Sequence, residues 1–591
     1  MSEKLKKLRQ FMREKNLDYY YVPTRDAHNN EYVPPHWERR AWLTDFTGSY
    51  GEAFIGMEKA FLWTDPRYYL QAEKQLNFTD FELMKQIQGV TAPIVHWLSD
   101  NVFNATIGFD PKLLSITEKR RWEDALAKIH GELTPVSENL VDWIWENRPP
   151  LKLEKIIILD EQYTGLSTDH KLKNLREQMK KIGADTVILS QLDEIAWIFN
   201  IRGDDIPYNP LVISYAIITI NHATLFTKLD RVSEKDFPYF ANQNIELKSY
   251  DAFEHALKNI SGTAWVDPDT TSFWIASQLI SAFLIEKKTP IAMMKAIKNK
   301  TELAGSREAH RLDAIAMIKF FCWLENNWKQ GVDEISVADK LEALRRDNPR
   351  CKNLSFPTIC GFADHGAIIH YQANEKDKYK IDDSNVLLID SGGQYFEGTT
   401  DITRVIHLGK PTQEQKKNFT LVLKGHLALR HTPFPAGACG EHINTLARAP
   451  LWQHAMDFGH GTGHGVGAYL CVHEGPQRIG YGASGVPLQP GMIVSNEPGL
   501  YFKNQYGIRI ENVCEIIEVV FAEKSPTDRS PFYQLIDLTV VPYAKNLIEP
   551  TLLTVDEIRY INEYHAYIYN LLKNDLTSDA REWLKKATDA I

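Results

Sequence analysis

Two stretches of this chain repeat each other, and a duplication of that kind constrains the fold before any single motif is weighed. Lys4 to Asp26 reads KLKKLRQFMREKNLDYYYVPTRD and Lys171 to Asp193 reads KLKNLREQMKKIGADTVILSQLD, with 8 of 23 aligned positions identical. Apolar residues recur at three-and-four spacing, Leu5, Leu8 and Met12 in one copy and Leu172, Leu175 and Met179 in the other. That spacing predicts an amphipathic helix with one inward face. Short β-prone runs follow, Tyr19 to Val22 and Thr186 to Leu189. Farther along, Ala41-Trp42 with Gly48 is echoed by Ala196-Trp197 with Gly203, at a shorter interval in the second copy. Two related α/β domains in tandem are expected.

The Asn-Arg-Pro-Pro stretch ending at Pro150 marks the boundary between them, because consecutive prolines break helices and stiffen a connection. Near Lys295 a long helical pattern begins and runs through Leu324. From Phe356 to Pro550 the texture changes to short β-type runs such as Val386-Leu387-Leu388-Ile389, punctuated by glycine and proline, and after Thr551 a helical tail appears. The expected division is 1–155, 156–295, 296–550 and 551–591. A length of 591 residues is too great for one core and agrees with three or four domains. Hydrophobic residues at 43% and charged residues at 24% exclude a disordered or fibrous chain.

A net charge of −10 leaves no basic surplus for a phosphate backbone, so nucleic acid is excluded as the expected partner. No apolar run is long enough to span a membrane, and the opening Met1-Ser-Glu-Lys-Leu-Lys-Lys has no signal-peptide stretch, so the expected address is the cytoplasm. The six cysteines are widely spaced with no CxxC pair and are expected as reduced, mostly buried thiols.

Chemistry concentrates in the third region. In VLLIDSGGQYFEGTTDITRV, Asp390 and Asp401 are equidistant from a reversal between Tyr395 and Phe396, which predicts cross-strand neighbours. In SNEPGLYFKNQYGIRIENV, Glu497 and Glu511 are each seven residues from Asn504, and the same prediction follows. Two carboxylate pairs directed into one glycine-rich domain repel each other, and burying them unpaired costs several kcal/mol per ion. Two divalent cations balance four carboxylates and acidify a water between them.

The third piece is the run Gly459-His460-Gly461-Thr462-Gly463-His464-Gly465-Val466-Gly467. Read as extended chain, it puts His460, Thr462 and His464 on one face, and its bare glycines admit close approach of other groups. At strand rise the two histidines stand ~13 Å apart, so one is expected as a ligand and the other as a substrate or supporting group. A phosphate loop is the rival reading, from the loose G-x-G-x-x-A match at Gly463, but AYLCVHEGP does not open a helix there.

Together HGAIIHY, LLIDSGGQY, GTTDITR, GHGTGHGVG, VHEGP, SNEPGLY and GIRIEN resemble the metal-dependent aminopeptidase P enzymes of the pita-bread metallopeptidase superfamily. The two preceding domains resemble the creatinase-type domains of the three-domain, cytosolic Xaa-Pro aminopeptidases. The resemblance implies two creatinase-type α/β domains, then a pita-bread catalytic domain of α+β type with a helical extension. It implies five ligands for two metals, Asp390, Asp401, His464, Glu497 and Glu511, with Asp401 and Glu511 bridging. His370, His460 and His473 are implied to line the substrate site, and Arg509 to support the carboxylates.

The implied activity is release of the first residue from peptides with proline second. A metal-bridging hydroxide would attack the first peptide carbonyl, with His473 stabilising the developing charge and Glu497 moving the proton to the proline nitrogen. An oxygen-rich ligand set suits Mn²⁺, with Zn²⁺ or Co²⁺ as alternatives. A homodimer is implied by the resemblance, and no membrane partner is expected. Rival readings are an Xaa-Pro dipeptidase, a methionine aminopeptidase, against which the two preceding domains argue, and a non-catalytic peptide- or histone-binding module. Asp193, Glu308 and His310 are assigned no chemistry.

Overall fold

The structure, a computed structural model, describes residues 2–87, 92–482, 484–521 and 531–591. It divides into two compact units: Met1–Glu161 with Leu166–Ala292, and Gln162–Gly165 with Met293–Ile591.

The first unit contains the duplication. The helices Glu3–Glu14 and Thr168–Ile182 are N-capped by Ser2 and Ser167, and they bury Leu5, Leu8 and Met12 and Leu172, Leu175 and Met179. Gly183 closes the second helix in the left-handed conformation, φ 76°, which a side chain would disfavour. Each helix leads into a strand, Tyr19–Pro23 and Thr186–Leu189, that lies fourth in a six-stranded sheet. The first sheet runs Phe81–Lys85, Ala60–Thr64, Glu52–Gly56, Tyr19–Pro23, Thr106–Phe109, Glu132–Pro135. The second runs Ile245–Ser249, Ala223–Thr227, Tyr215–Thr219, Thr186–Leu189, Ser261–Val266, Ser281–Glu286. From edge to edge both follow the order parallel, antiparallel, antiparallel, parallel, parallel. Shared strand order and direction extend the repeat well beyond the matched 23 residues.

In the second unit the long helix is Lys300–Asn327, so it starts five residues later than the pattern suggested. The reason is a capping box: Asn299 accepts from the Thr301 and Glu302 amides, and the Glu302 carboxylate accepts from the Asn299 amide. Lys295 instead ends a separate short helix, Ile291–Ala296. The long helix packs Met317, Ile318 and Phe321 into a core shared with Leu388, Ile389 and Val405 and with Ile561, Ile568 and Leu584 of the tail helices Val555–Leu572 and Ser578–Ala587.

Two sheets and a hairpin deliver the chemistry. The three-stranded sheet is Ile359–Phe362, Val386–Ser391, Ile402–His407. The six-stranded sheet is Phe434–Pro435, Phe532–Asp537, Asn512–Val519, Ile493–Asn496, Gly463–Gly465, Glu474–Ile479. The hairpin joins Gly499–Phe502 to Tyr506–Arg509.

Glycine is required where these pieces touch. A Cβ on Gly507 would lie 1.7 Å from the Gly366 carbonyl oxygen, and one on Gly463 would lie 2.0 Å from that of Ser495. Backbone cannot move aside as a flexible side chain can. Replacing Gly507 by alanine is expected to lower stability by about 3 kcal/mol, at the upper end of ordinary overpacking. Thermal scans should show it as a depressed transition of the second unit, and an unchanged melting profile would contradict the close approach.

Candidate metal centre

The two carboxylate pairs form by different registers. For the glutamates, Gly499 pairs with Arg509 on one side and Asn496 with Asn512 on the other. Both pairings are centred on Asn504, whose φ of 61° makes the reversal, so Glu497 and Glu511 face each other between two ladders. For the aspartates the register differs from expectation. Asp390 pairs with Thr403 and Gln394 with Thr399, which moves the reversal to between Phe396 and Glu397. Asp401 lies just before its strand, two residues from the position opposite Asp390. A shift of two keeps a residue on the same face, so the carboxylates still converge, as diagonal rather than direct neighbours.

Asp390, Asp401 and Glu511 offer oxygens all within 4.8 Å of one another, and so do the ligand atoms of His464, Glu497 and Glu511 and of Asp401, His464 and His473. All five sequence-derived ligand candidates therefore meet in one cluster. His464 sits on the short strand Gly463–Gly465. Its amide donates to Ser495 Oγ at 2.9 Å, and its Nδ1 contacts the Gly465 carbonyl at 2.9 Å. That carbonyl holds a proton on Nδ1 and leaves Nε2 facing Asp401 at 3.5 Å and Glu497 at 3.3 Å, the orientation an imidazole ligand needs.

The alternating glycine run is extended only over 463–465. Thr462 leaves the expected face, donating to Asn444 at 2.6 Å, while His460 stays close to the cluster with Nδ1 3.9 Å from Glu497. The rings of His473 and His464 are T-shaped at 4.4 Å. Glu474 does not hold His473 as a turn would. Its carboxylate is buried against Lys298 at 2.8 Å and Lys295 at 3.3 Å. His370 is half-buried and follows Ile369, whose carbonyl accepts from Arg509. Glu308 is taken up by ion pairs to Arg311 and Arg350.

Arg509 is no solvated strand residue; it is 2% exposed. It donates to Asp390 Oδ2 at 2.6 Å, to the Tyr501 hydroxyl at 2.8 Å and to Thr403 Oγ1 at 3.2 Å. Two partners escaped the sequence reading. Tyr501 links Arg509 to His460 Nε2, which lies 2.7 Å from its hydroxyl, and Thr403 donates to Glu511 Oε2 at 2.7 Å. Thr403 lies two residues beyond Asp401 and shares its face, which was the available signal.

Burial dominates the electrostatics. It raises Asp390 to about 6 against the pull of Arg509, with Asp401 adding to the rise. It also raises Glu497, and it drives Glu511 well above the carboxylate range together with the charges of Asp401, Glu497 and Asp390. Burial opposes a charged His464, but the hydrogen bond to Asp401 and the charges of Glu497 and Asp401 raise it to about 9. Protons thus do the work that cations can do better. Asp390 Oδ1 is buried without a hydrogen-bond donor among the described residues, as an oxygen reserved for a metal would be. Four carboxylates, that oxygen among theirs, and one imidazole fit a pair of divalent cations.

Comparison with known proteins agrees with this geometry. The Creatinase/Prolidase N-terminal domain matches residues 4–144 and, in a second form, 147–302; metallopeptidase family M24 matches 304–518, and the C-terminal region of peptidase M24 matches 531–591. The chain belongs to metallopeptidase family M24, with two creatinase-type domains preceding a pita-bread domain. Its full-length kinship is with the Xaa-Pro aminopeptidases. A probable Xaa-Pro aminopeptidase P of Pyrenophora teres f. teres is 39% identical across 99% of this chain and 92% of its own, and aminopeptidase P1 of Arabidopsis thaliana is 36% identical across 100% and 99%. The crystal structure of an X-prolyl aminopeptidase from Caenorhabditis elegans, described as a cytosolic enzyme with a di-nuclear active site, superposes with TM-score 0.94 at 35% identity, covering 100% of this chain and 99% of that one.

A pH dependence follows. Asp390, with its pKa raised to about 6, contributes stability that is full below the unfolded value of 3.8 and lost as pH rises through 6. His464, raised to about 9, contributes stability that is full below 6.5 and lost as pH rises through 9. Metal-free protein should therefore lose stability from both groups as pH rises from about 4 to about 9, and the gain in melting temperature on adding Mn²⁺ should grow between pH 6 and 8. Differential scanning fluorimetry at fixed Mn²⁺ measures it; a gain that shrinks with pH would contradict the assigned electrostatics.

Proposed function

We propose that this chain is a dinuclear metallo-exopeptidase that releases the N-terminal residue from peptides whose second residue is proline. The single observation carrying this reading is the convergence of Asp390, Asp401, His464, Glu497 and Glu511 on one cluster with His460 and His473 beside it. Full-length similarity to Xaa-Pro aminopeptidases supports the substrate class. We assign the catalytic domain to 296–550 and its helical extension to 551–591, after creatinase-type domains at 1–155 and 156–295.

All five cluster residues serve as ligands in this reading. Asp401 and Glu511 would be the two shared between the ions, a role supported by their each joining both Asp390 and His464 in groups of close ligand atoms. Mn²⁺ suits four oxygen ligands with one imidazole, and Zn²⁺ or Co²⁺ remain compatible. When bound, the two cations supply the Lewis acidity that makes water nucleophilic and polarises the scissile carbonyl.

The remaining chemistry belongs to the chain. Glu497 accepts the proton of the attacking water and hands it to the departing proline nitrogen, which must be protonated to leave as a secondary amine. His473 stabilises charge developing on the carbonyl oxygen, and His370 and His460 line the substrate site. Arg509 fixes Asp390. An Xaa-Pro bond lacks an N–H, so the site must accept a rigid ring where other peptides would donate. We place the enzyme in the cytoplasm, as its Caenorhabditis elegans relative is described, and infer a homodimer from the family resemblance of its motifs, with peptides and neither nucleic acid nor membrane as partners.

Hydrolysis of Arg-Pro-Pro peptides is the test. Activity should require Mn²⁺ and release arginine, whereas an Xaa-Pro dipeptide should be a poor substrate. Asp401→Ala should lose more than about 100-fold, since even partners of metal ligands cost about 10- to 100-fold. Cleavage of dipeptides alone, or full activity in the variant, would overturn the assignment.

A further inference from the structure

Behind the metal cluster the chain builds a second polar layer with Arg404 at its centre. The guanidinium is buried, and all five of its N–H groups have acceptors. Nε donates to the Pro542 carbonyl at 3.2 Å, and Nη1 donates to the carbonyls of Thr403 at 2.9 Å and Glu511 at 2.7 Å. Nη2 donates to Asn512 Oδ1 at 2.8 Å, to the Val541 carbonyl at 2.6 Å and, at 3.4 Å, to the Tyr564 hydroxyl. Every one of these acceptors is neutral. The Tyr543 ring lies 5.0 Å from the guanidinium carbon and adds a cation–π contact. A buried cation without a paired carboxylate is costly, and here its charge lies next to the backbone of an acid in a crowded anionic cluster.

The bonds of Arg404 join exactly two parts of the chain that the active site needs together. One part carries the ligands: Thr403 Oγ1 bonds Glu511 Oε2 at 2.7 Å, and the Glu511 amide donates to the Thr403 carbonyl at 3.2 Å. The other is the C-terminal region that the family comparison matches at 531–591, which supplies Val541, Pro542 and, from the helix Val555–Leu572, Tyr564. Asn512, next to Glu511, also donates to Asp537 at 2.9 Å and to the Tyr543 hydroxyl at 3.2 Å. Asn496, next to Glu497 and paired with Asn512 across the sheet, donates to the His426 carbonyl at 2.9 Å and accepts from His426 Nδ1 at 3.1 Å. His426 Nε2 in turn contacts the Tyr543 hydroxyl at 3.1 Å. The neighbours of both glutamate ligands thus plug into one layer closed by the tail.

We propose that Arg404 is a positioning residue through which the C-terminal region, by Tyr564, Val541 and Pro542, holds Glu511 in place and so sets the affinity for metal. This rests on the reading of Glu511 as a ligand. A lysine at 404 supplies three donors from one point and cannot span the separated carbonyls that a planar fork reaches.

The test is calorimetric titration of the metal-stripped full chain with Mn²⁺. Arg404→Lys should lose about 10- to 100-fold in affinity for the weaker-bound ion, and Tyr564→Phe, which removes one hydroxyl and keeps the ring, about 3- to 10-fold. Tyr567→Phe, on the exposed face of the same helix, should titrate like the unaltered chain. At saturating Mn²⁺ the kcat of Tyr564→Phe should return to near the starting value, because the defect lies in occupancy. A purely structural Arg404 would lower the melting temperature of the metal-free protein without moving the titration, and that outcome overturns the proposal. So does unchanged affinity in Tyr564→Phe, which decides the matter should Arg404→Lys fail to fold. An unaltered chain that binds two Mn²⁺ yet cleaves no Xaa-Pro peptide sinks the proposed activity instead, and the titrations still judge the brace.

Discussion

Mutual repulsion among Asp390, Asp401, Glu497 and Glu511 is the constraint to which the rest of the second unit answers. Their oxygens lie within 4.8 Å in overlapping groups, in surroundings dry enough to push Asp390 to about 6 and Glu511 well above the carboxylate range. Left to itself such a cluster takes up protons or opens. The structure prevents opening by rigid means, and the donor set is arranged so that cations can replace protons.

Rigidity comes from backbone meeting backbone. Gly463 lets two strands approach, and Gly507 lets its strand approach the 3-10 helix Ala363–Ala367, where any side chain would collide with a carbonyl, and the two ladders flanking Glu497 and Glu511 share one register. Side chains then aim the candidate ligands. Gly465 fixes the tautomer of His464, Ser495 and Thr403 hold the two glutamates, and Arg509 takes one oxygen of Asp390 while leaving the other bare. Hydrogen bonding to ligands in this way both orients them and tunes their basicity.

Polar layers behind the candidate ligands extend this aim into the fold. The Arg509–Tyr501–His460 chain runs from Asp390 to His460, whereas the Arg404 layer runs toward the C-terminal helices. In both, a guanidinium is chosen where several acceptors in fixed directions must be satisfied at once, which a lysine cannot do. The tail helices also share the apolar core with the long helix Lys300–Asn327, so one packing unit supports both the walls and the site.

Much was written in the sequence. Period-three-and-four spacing gave the duplicated helices, and the symmetry of Glu497 and Glu511 about Asn504 gave the hairpin register, because a turn residue tolerant of positive φ sits at its centre. Four acids and a histidine among glycines implied cations, since uncompensated charge is expensive to bury. Local sequence did not reveal that the aspartate reversal falls between Phe396 and Glu397, because several residues there can turn and only the packed sheet selects one. Nor did it reveal that Thr462 turns to Asn444, that Arg509 is buried, or that Arg404 joins Glu511 to Tyr564, which lies 160 positions beyond the arginine. The sequence by itself determined which groups exist and that they require compensation; the tertiary structure alone decided which of them touch, because contacts between distant segments depend on how whole sheets and helices pack and no local propensity encodes that.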